Sequence, residues 1–174
     1  MSTNKELANI TPEEEAVFAK NREESPYVRR FEKDGVSYPI PDLIGSTRLI
    51  LVDEDTVGAH EITFGFSEFA PKSSVHKLHI HPNSEEIMYI LKGRGVSNVA
   101  GLNVMCEEGD TLYVPKGVEH SFYNPFPEPC SFLFLYTKGS LKEAGYALAS
   151  AGYHEIGDEI QKLQKLGTNK FDSR

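Results

Sequence analysis

Cysteine is scarce in this chain: Cys106 and Cys130 are the only two among 174 residues, and no C-x-x-C or similar ligand spacing joins them. Both sit in apolar, strand-like surroundings, so two reduced core thiols are expected rather than a disulfide framework or a thiolate metal site. Long apolar runs are missing too. No stretch approaches the roughly 18 apolar residues of a membrane crossing, and the opening MSTNKELANITPEEE lacks the apolar centre of a signal peptide. A membrane is therefore not an expected partner, and the protein is expected to be cytoplasmic. Basic residues are in the minority, with 18 Lys and Arg against 26 Asp and Glu, and they gather into no stripe that could neutralise phosphates. Nucleic acid is not an expected partner. No internal repeat and no low-complexity tract occurs.

What remains has the make-up of a soluble globular chain, with 39% hydrophobic and 25% charged residues over a length that suits one domain with extensions. Thr11-Pro12-Glu13-Glu14 offers an N-cap, a proline in the first turn and a capping Glu, predicting a helix from 12 to about 22 that Ser25-Pro26 ends. Residues 27 to 45 hold Gly35, Pro39 and Pro41 with little periodicity and read as an extended arm, so residues 1–46 form a helix-and-arm extension. From 47 to 138 the pattern becomes short β-branched and aromatic runs divided by turn residues: TRLILV, HEITFGFSEF, HKLHIH, EIMYILKG, GVSNVAG, LNVMCEEG, DTLYVP, HSFYN and CSFLFLY. Many short, regularly spaced strands predict an all-β sandwich or barrel. Residues 139–174 turn helical again, with one helix expected over Ser140–Ala151 and a firmer one over Asp158–Leu166.

Two segments carry chemistry. In His79-Ile80-His81-Pro82-Asn83-Ser84-Glu85-Glu86, strand alternation turns His79 and His81 to one face, and the turn at Pro82-Asn83-Ser84 brings a carboxylate on the next strand back towards them. In Gly109-Asp110-Thr111-Leu112-Tyr113-Val114-Pro115-Lys116-Gly117-Val118-Glu119-His120, glycines and a proline shape a turn that presents His120. Imidazoles with one carboxylate suit Fe, Mn, Ni, Co, Cu or Zn better than Mg or Ca, which prefer all-oxygen shells.

These segments resemble the two motifs of the cupin superfamily, G-x5-H-x-H-x4-E-x6-G and G-x5-P-x-G-x2-H-x3-N. The second is matched at every defined position; in the first, Ser73 stands where Gly is usual, at a turn and not at a ligand. Fifteen residues separate Gly93 from Gly109, similar to compact microbial cupins. The resemblance covers about residues 47 to 137. It implies a double-stranded β-helix, the cupin or jelly-roll barrel, in a small single-domain metal-binding member with one divalent transition metal held by His79, His81, Glu86 and His120. Glu86 is preferred to its neighbour Glu85, whose strand parity points it outward.

Parity nominates the rest of the pocket: Lys77 with His79 and His81, Met88 and Ile90 with Glu86, Phe122 and Asn124 with His120, and Phe132, Phe134 and Tyr136 on one late strand. Of these, Lys77, Met88, Phe122, Phe132, Phe134 and Tyr136 are the candidate substrate-binding residues, and Glu86 and Lys77 the candidate catalytic ones. A charge directed into a barrel is costly unless paired or used, which is the argument for Lys77. His60 and His76 read as surface histidines, and Tyr89 and Tyr113 as packing or interface residues.

Four protein ligands leave positions for a chelating substrate. The expected function is therefore a metal-dependent enzyme that chelates a small hydroxy-carbonyl or carboxylate metabolite and stabilises an enediolate, as an isomerase or lyase. EIMYILKGRG and Gly145-Tyr146 are similar to microbial sugar-phosphate isomerase cupins, which favours that class, although only Lys77, Lys92 and Arg94 stand near as cations. The alternatives are a dioxygenase cleaving a carbon–carbon bond and a non-catalytic sugar or metabolite binder. The resemblance also implies a homodimer, with the arm at residues 27 to 45 exchanged.

Overall fold

In the computed structural model of the protein, the structure describes residues 10–38, 45–73 and 77–149. The first helix is where its capping residues put it: α1 (Pro12–Glu24) starts at Thr11, whose hydroxyl accepts from the Glu14 amide at 3.2 Å while the Glu14 carboxylate accepts from the Thr11 amide at 2.8 Å. It buries none of its residues. The arm that follows holds a single-turn helix α2 (Phe31–Asp34) and a short strand β1 (Val36–Ser37).

The barrel strands then follow the predicted runs: β2 (Thr47–Val52), β3 (Thr63–Phe69), β4 (His79–Ile80), β5 (Glu86–Lys92), β6 (Arg94–Val99), β7 (Leu102–Glu107), β8 (Thr111–Val114), β9 (His120–Tyr123) and β10 (Cys130–Tyr136). A one-turn helix α3 (Glu54–Val57) between β2 and β3 was not foreseen; Asp53 caps it by accepting from the Asp55 and Thr56 amides. All pairings are antiparallel, in a six-stranded sheet β1-β2-β3-β10-β5-β8 and a five-stranded sheet ending β4-β9-β6-β7. The two sheets face each other across one core that includes Ile50, Phe69, Met88, Ile90, Phe122, Phe132 and Phe134, as an all-β double-stranded β-helix requires.

The chain beyond the barrel departs from expectation. The helix predicted over Ser140–Ala151 is only one turn, α4 (Leu141–Ala144), and is followed by a further strand, β11 (Ala147–Leu148), which pairs with β4 and completes the second sheet. The helix ends because Gly145 adopts φ 75°, and a Cβ there would press on the Pro82 ring at 2.8 Å. One side of each sheet is thus extended by a strand from outside residues 47–138, β1 on β2 and β11 on β4, which keeps β2 and β4 from being edges open to pairing. The helix expected over Asp158–Leu166 lies outside the described residues. Among those described, no helix is long and apolar enough to cross a membrane.

Cys106 and Cys130 are free and buried, and burial pushes their thiols up to about 11 and about 12, as expected of unreactive core cysteines. Asn124, which ends the second motif, is fully buried. Its Nδ2 donates to the carbonyls of Phe69, Ala70 and Glu128, and its Oδ1 accepts from the Phe126 amide. It therefore fastens the loop after β9 to the end of β3 and lines nothing. Ser73, in the motif's glycine position, bridges Asn124, and the left-handed conformation at this turn falls one residue earlier, on exposed Lys72 with φ 52°. Restoring glycine at Ser73 should accordingly bring no gain. Lys72→Asn, which tolerates that conformation, should raise stability by roughly 0.5–1 kcal/mol, read as a higher urea midpoint at unchanged slope.

Candidate metal centre

Short strand β4 and the residue after it set His79 and His81 into the barrel; β9 begins at His120, directly opposite His79 in register, and β5 begins at Glu86. All four are buried. The chain returns sharply between His81 and Glu86 because buried Ser84 holds the turn, its hydroxyl donating to the Glu85 carbonyl at 2.7 Å and accepting from the Thr137 amide at 2.9 Å. Alternation along β5 then buries Glu86 and exposes Glu85, whose carboxylate accepts from the Tyr113 hydroxyl at 2.7 Å on the outer surface.

The three imidazoles are held alike. Nδ1 of His79 lies 2.8 Å from the Lys77 carbonyl, Nδ1 of His81 2.6 Å from the Gly145 carbonyl, and Nδ1 of His120 3.0 Å from the Val118 carbonyl. A carbonyl only accepts, so each Nδ1 carries the proton and each neutral ring turns its Nε2 lone pair inward. One ring nitrogen from each histidine falls within 4.8 Å of the others. Oε2 of Glu86 stands 2.8 Å from His120 Nε2 and 3.7 Å from His81 Nε2.

This is a convergence of acceptors. His81 Nε2, His120 Nε2 and Glu86 Oε2 are all buried without an aligned hydrogen-bond partner, an arrangement that costs free energy unless something positive lies between them. One solution is a proton. Burial disfavours charge on both partners, but the hydrogen bond and charge of His120 outweigh it and hold the Glu86 carboxyl down at about 2; Glu86 raises His120 in turn. His81 is lowered by burial, which keeps it neutral. The other solution is a cation, and three inward imidazole nitrogens with one carboxylate fit a divalent transition metal.

His79, Glu86 and His120 line one wall of a small cavity whose other lining residues are Arg48, Phe69, Met88, Phe122, Phe132, Phe134 and Tyr136. Glycines make room for two of the rings: a Cβ on Gly65 would overlap Phe134, and one on Gly95 would overlap Phe122. Burial, and then the Glu86 charge, push the Tyr136 phenol well above its ordinary range, so it stays a hydrogen-bond donor. The tail after α4 closes over the site, with Gly145 accepting from His81 and the Tyr146 ring stacked on His79 at 4.6 Å.

The structure thus brings Met88, Phe122, Phe132, Phe134 and Tyr136 to the cavity with His79, Glu86 and His120, while His81 is outside its lining. Lys77 is not brought there: β4 starts only at His79, so strand alternation does not extend back to residue 77, and Lys77 is exposed and absent from the lining. The cavity's cation is Arg48, which the sequence reading missed because it stands on β2, outside both motifs. Its only signal was a charge at an inward position of the TRLILV run. Ile90 is in the core, His60 is exposed, and His76 lies outside the described residues.

Loss of a donor should empty the site. His79→Ala, His81→Ala, Glu86→Ala and His120→Ala should each lower bound metal per chain severalfold by elemental analysis, while Glu85→Ala should leave it unchanged. Saturating metal should raise the melting temperature of the unaltered protein by about 5–10 °C. Affinity should fall between about pH 8 and about pH 5 as protons compete, with His120 taking one up first because Glu86 raises its proton affinity.

Comparison with known proteins agrees with this architecture. Residues 65–136 match the family model described as the cupin domain. A stretch of 90 residues, 52% of the chain, is 36% identical to the tetracenomycin polyketide synthase protein TcmJ of Streptomyces glaucescens and spans 59% of that protein. Among solved structures, a predicted oxalate decarboxylase from Thermotoga maritima superposes with a TM-score of 0.55 at 25% identity, over 64% of this chain and 98% of that one. The polyketide cyclase RemF of Streptomyces resistomycificus superposes with a TM-score of 0.57 at 19% identity, over 77% and 92%. Both motifs, the barrel and the family match thus agree that residues 65–136 form a cupin domain with the double-stranded β-helix fold.

Proposed function

We propose that this cupin is a metal-dependent enzyme that chelates a small hydroxy-carbonyl or carboxylate metabolite and stabilises the enediolate or enolate formed from it, as an isomerase or lyase. The observation that supports this most is the set of three imidazole nitrogens within 4.8 Å of one another, with a Glu86 oxygen beside those of His81 and His120, at the wall of an otherwise largely aromatic cavity. A divalent ion there would supply Lewis-acid stabilisation of negative charge on substrate oxygens. The chain's own residues supply the rest. The Nδ1 hydrogen bonds fix the donors before anything binds, and the aromatic lining keeps water from competing for a developing charge. The Tyr136 phenol, held protonated beside Glu86, is placed to turn its proton to an oxygen of a bound molecule. The relative matched in sequence is named a polyketide synthase protein and one similar solved structure a predicted oxalate decarboxylase, names that point to oxygen-rich carbonyl or carboxylate compounds.

One observation favours a second reading. Phe69, Phe122, Phe132, Phe134 and Met88 make the far end of the cavity apolar, a setting that also suits a dioxygenase cleaving a carbon–carbon bond. Pairing of two copies belongs to the same proposal, since Ile87, Tyr89 and Tyr113 are exposed together on the outer face of β5 and β8.

Enolate formation is read directly by proton exchange. Metal-loaded protein in deuterated water should exchange the α-hydrogen of hydroxy-carbonyl compounds at equal rates in air and under argon. Tyr136→Phe should slow exchange by about 10²-fold at unchanged metal content. Oxygen consumption with no anaerobic exchange would replace this reading with the dioxygenase one.

A further inference from the structure

The cavity holds one permanent positive charge from the protein, and nothing described answers it. Arg48 lies on β2 directly opposite Ser67 of β3, and both side chains turn inward with the face that carries Ile50 and Phe69. Arg48 lines the cavity, and its guanidinium carbon sits 5.5 Å from the centre of the Phe134 ring. Its Nε is buried and makes no hydrogen bond, and no carboxylate among the described residues forms an ion pair with it. Ser67 is fully buried, and its Oγ too has no hydrogen-bond partner. The Nε of half-buried Arg48 and the hydroxyl of Ser67 opposite it are therefore both left without a partner. Either alone would be costly to keep, and a serine hydroxyl cannot neutralise a guanidinium.

We infer that Arg48, with Ser67 beside it, forms an anion subsite in the cavity wall, so that the substrate is a small acid bearing a carboxylate in addition to the oxygens it presents to the metal donors. This rests on the chelation reading given above and narrows its substrate class. A planar guanidinium matches a carboxylate with two parallel hydrogen bonds, and the ring of Phe134 under it holds the fork in place. A phosphate dianion fits less well, because Arg48 is the one Lys or Arg side chain among the lining residues described. The apolar rings that share the lining with Arg48 suit a short hydrocarbon or aromatic spacer. Arg48 thus acts as a specificity-determining residue in the cavity wall.

The test compares pairs of acids that share a chelating 2-oxo acid head and differ only at the tail: 2-oxoglutarate against 2-oxopentanoate, and 2-oxoadipate against 2-oxohexanoate. Calorimetric titration uses metal-loaded full-length protein. The second carboxylate should tighten binding about 10- to 100-fold in at least one pair. Arg48→Gln should abolish that difference without changing metal content or the affinity for the uncharged-tail acid. Arg48→Lys should restore part of it, and Ser67→Ala should lose a smaller part. Equal affinity for both members of each pair in the unaltered protein overturns the inference and leaves chelation standing, a result that needs no variant to fold. Failure of every 2-oxo acid to bind, with metal present, overturns the chelation reading and the inference together.

Discussion

Three buried imidazoles that must not compete for protons with one another impose the constraint from which the rest of this site follows. Each meets it by giving its Nδ1 proton to a main-chain carbonyl, two of them to carbonyls two residues back, at Lys77 and Val118, and one to Gly145 far along the chain. The local pairs are consequences of chain direction at the starts of β4 and β9. The bond from His81 to Gly145 is not local, and it explains why the chain after β10 makes only one helical turn before returning as β11 to pair with β4. The ligand strand and the tail that covers it are therefore one unit, and Tyr146 reaches the His79 ring because Gly145 is fastened below.

The same cavity is polar at one wall and aromatic at the other, and small residues make that possible. Gly65 and Gly95 leave space that the rings of Phe134 and Phe122 fill, so large side chains come from both sheets to a common floor without strain. Beside those rings, Arg48 Nε and Ser67 Oγ have no hydrogen-bond partner. Satisfied polar groups in the same barrel behave differently. Asn124 makes four hydrogen bonds and serves only to fasten loops.

Strand positions were legible because period-two alternation and turn residues are local signals. TRLILV, for instance, became β2 residue for residue. The preference for Glu86 over Glu85 as the inward carboxylate rests on the same alternation and agrees with the burial of one and exposure of the other. The argument failed at Lys77 for a physical reason: alternation holds only while the backbone is extended and paired, and pairing begins at His79. It failed again at Ser140–Ala151, where helical propensity yielded to a strand pairing that only the assembled sheet could offer.

The sequence by itself determined the fold, the buried quartet of donors and the aromatic character of the pocket, because spacing along a strand dictates which side chains share a face. Only the tertiary structure decided which cation shares the cavity. Arg48 and the histidines are far apart in the chain, and no local rule relates them until β2, β3 and β10 lie side by side in one sheet. The same holds for the tail at Gly145 and Tyr146, whose role depends on a hydrogen bond and a ring stack across that assembled surface rather than on any preference of its own residues.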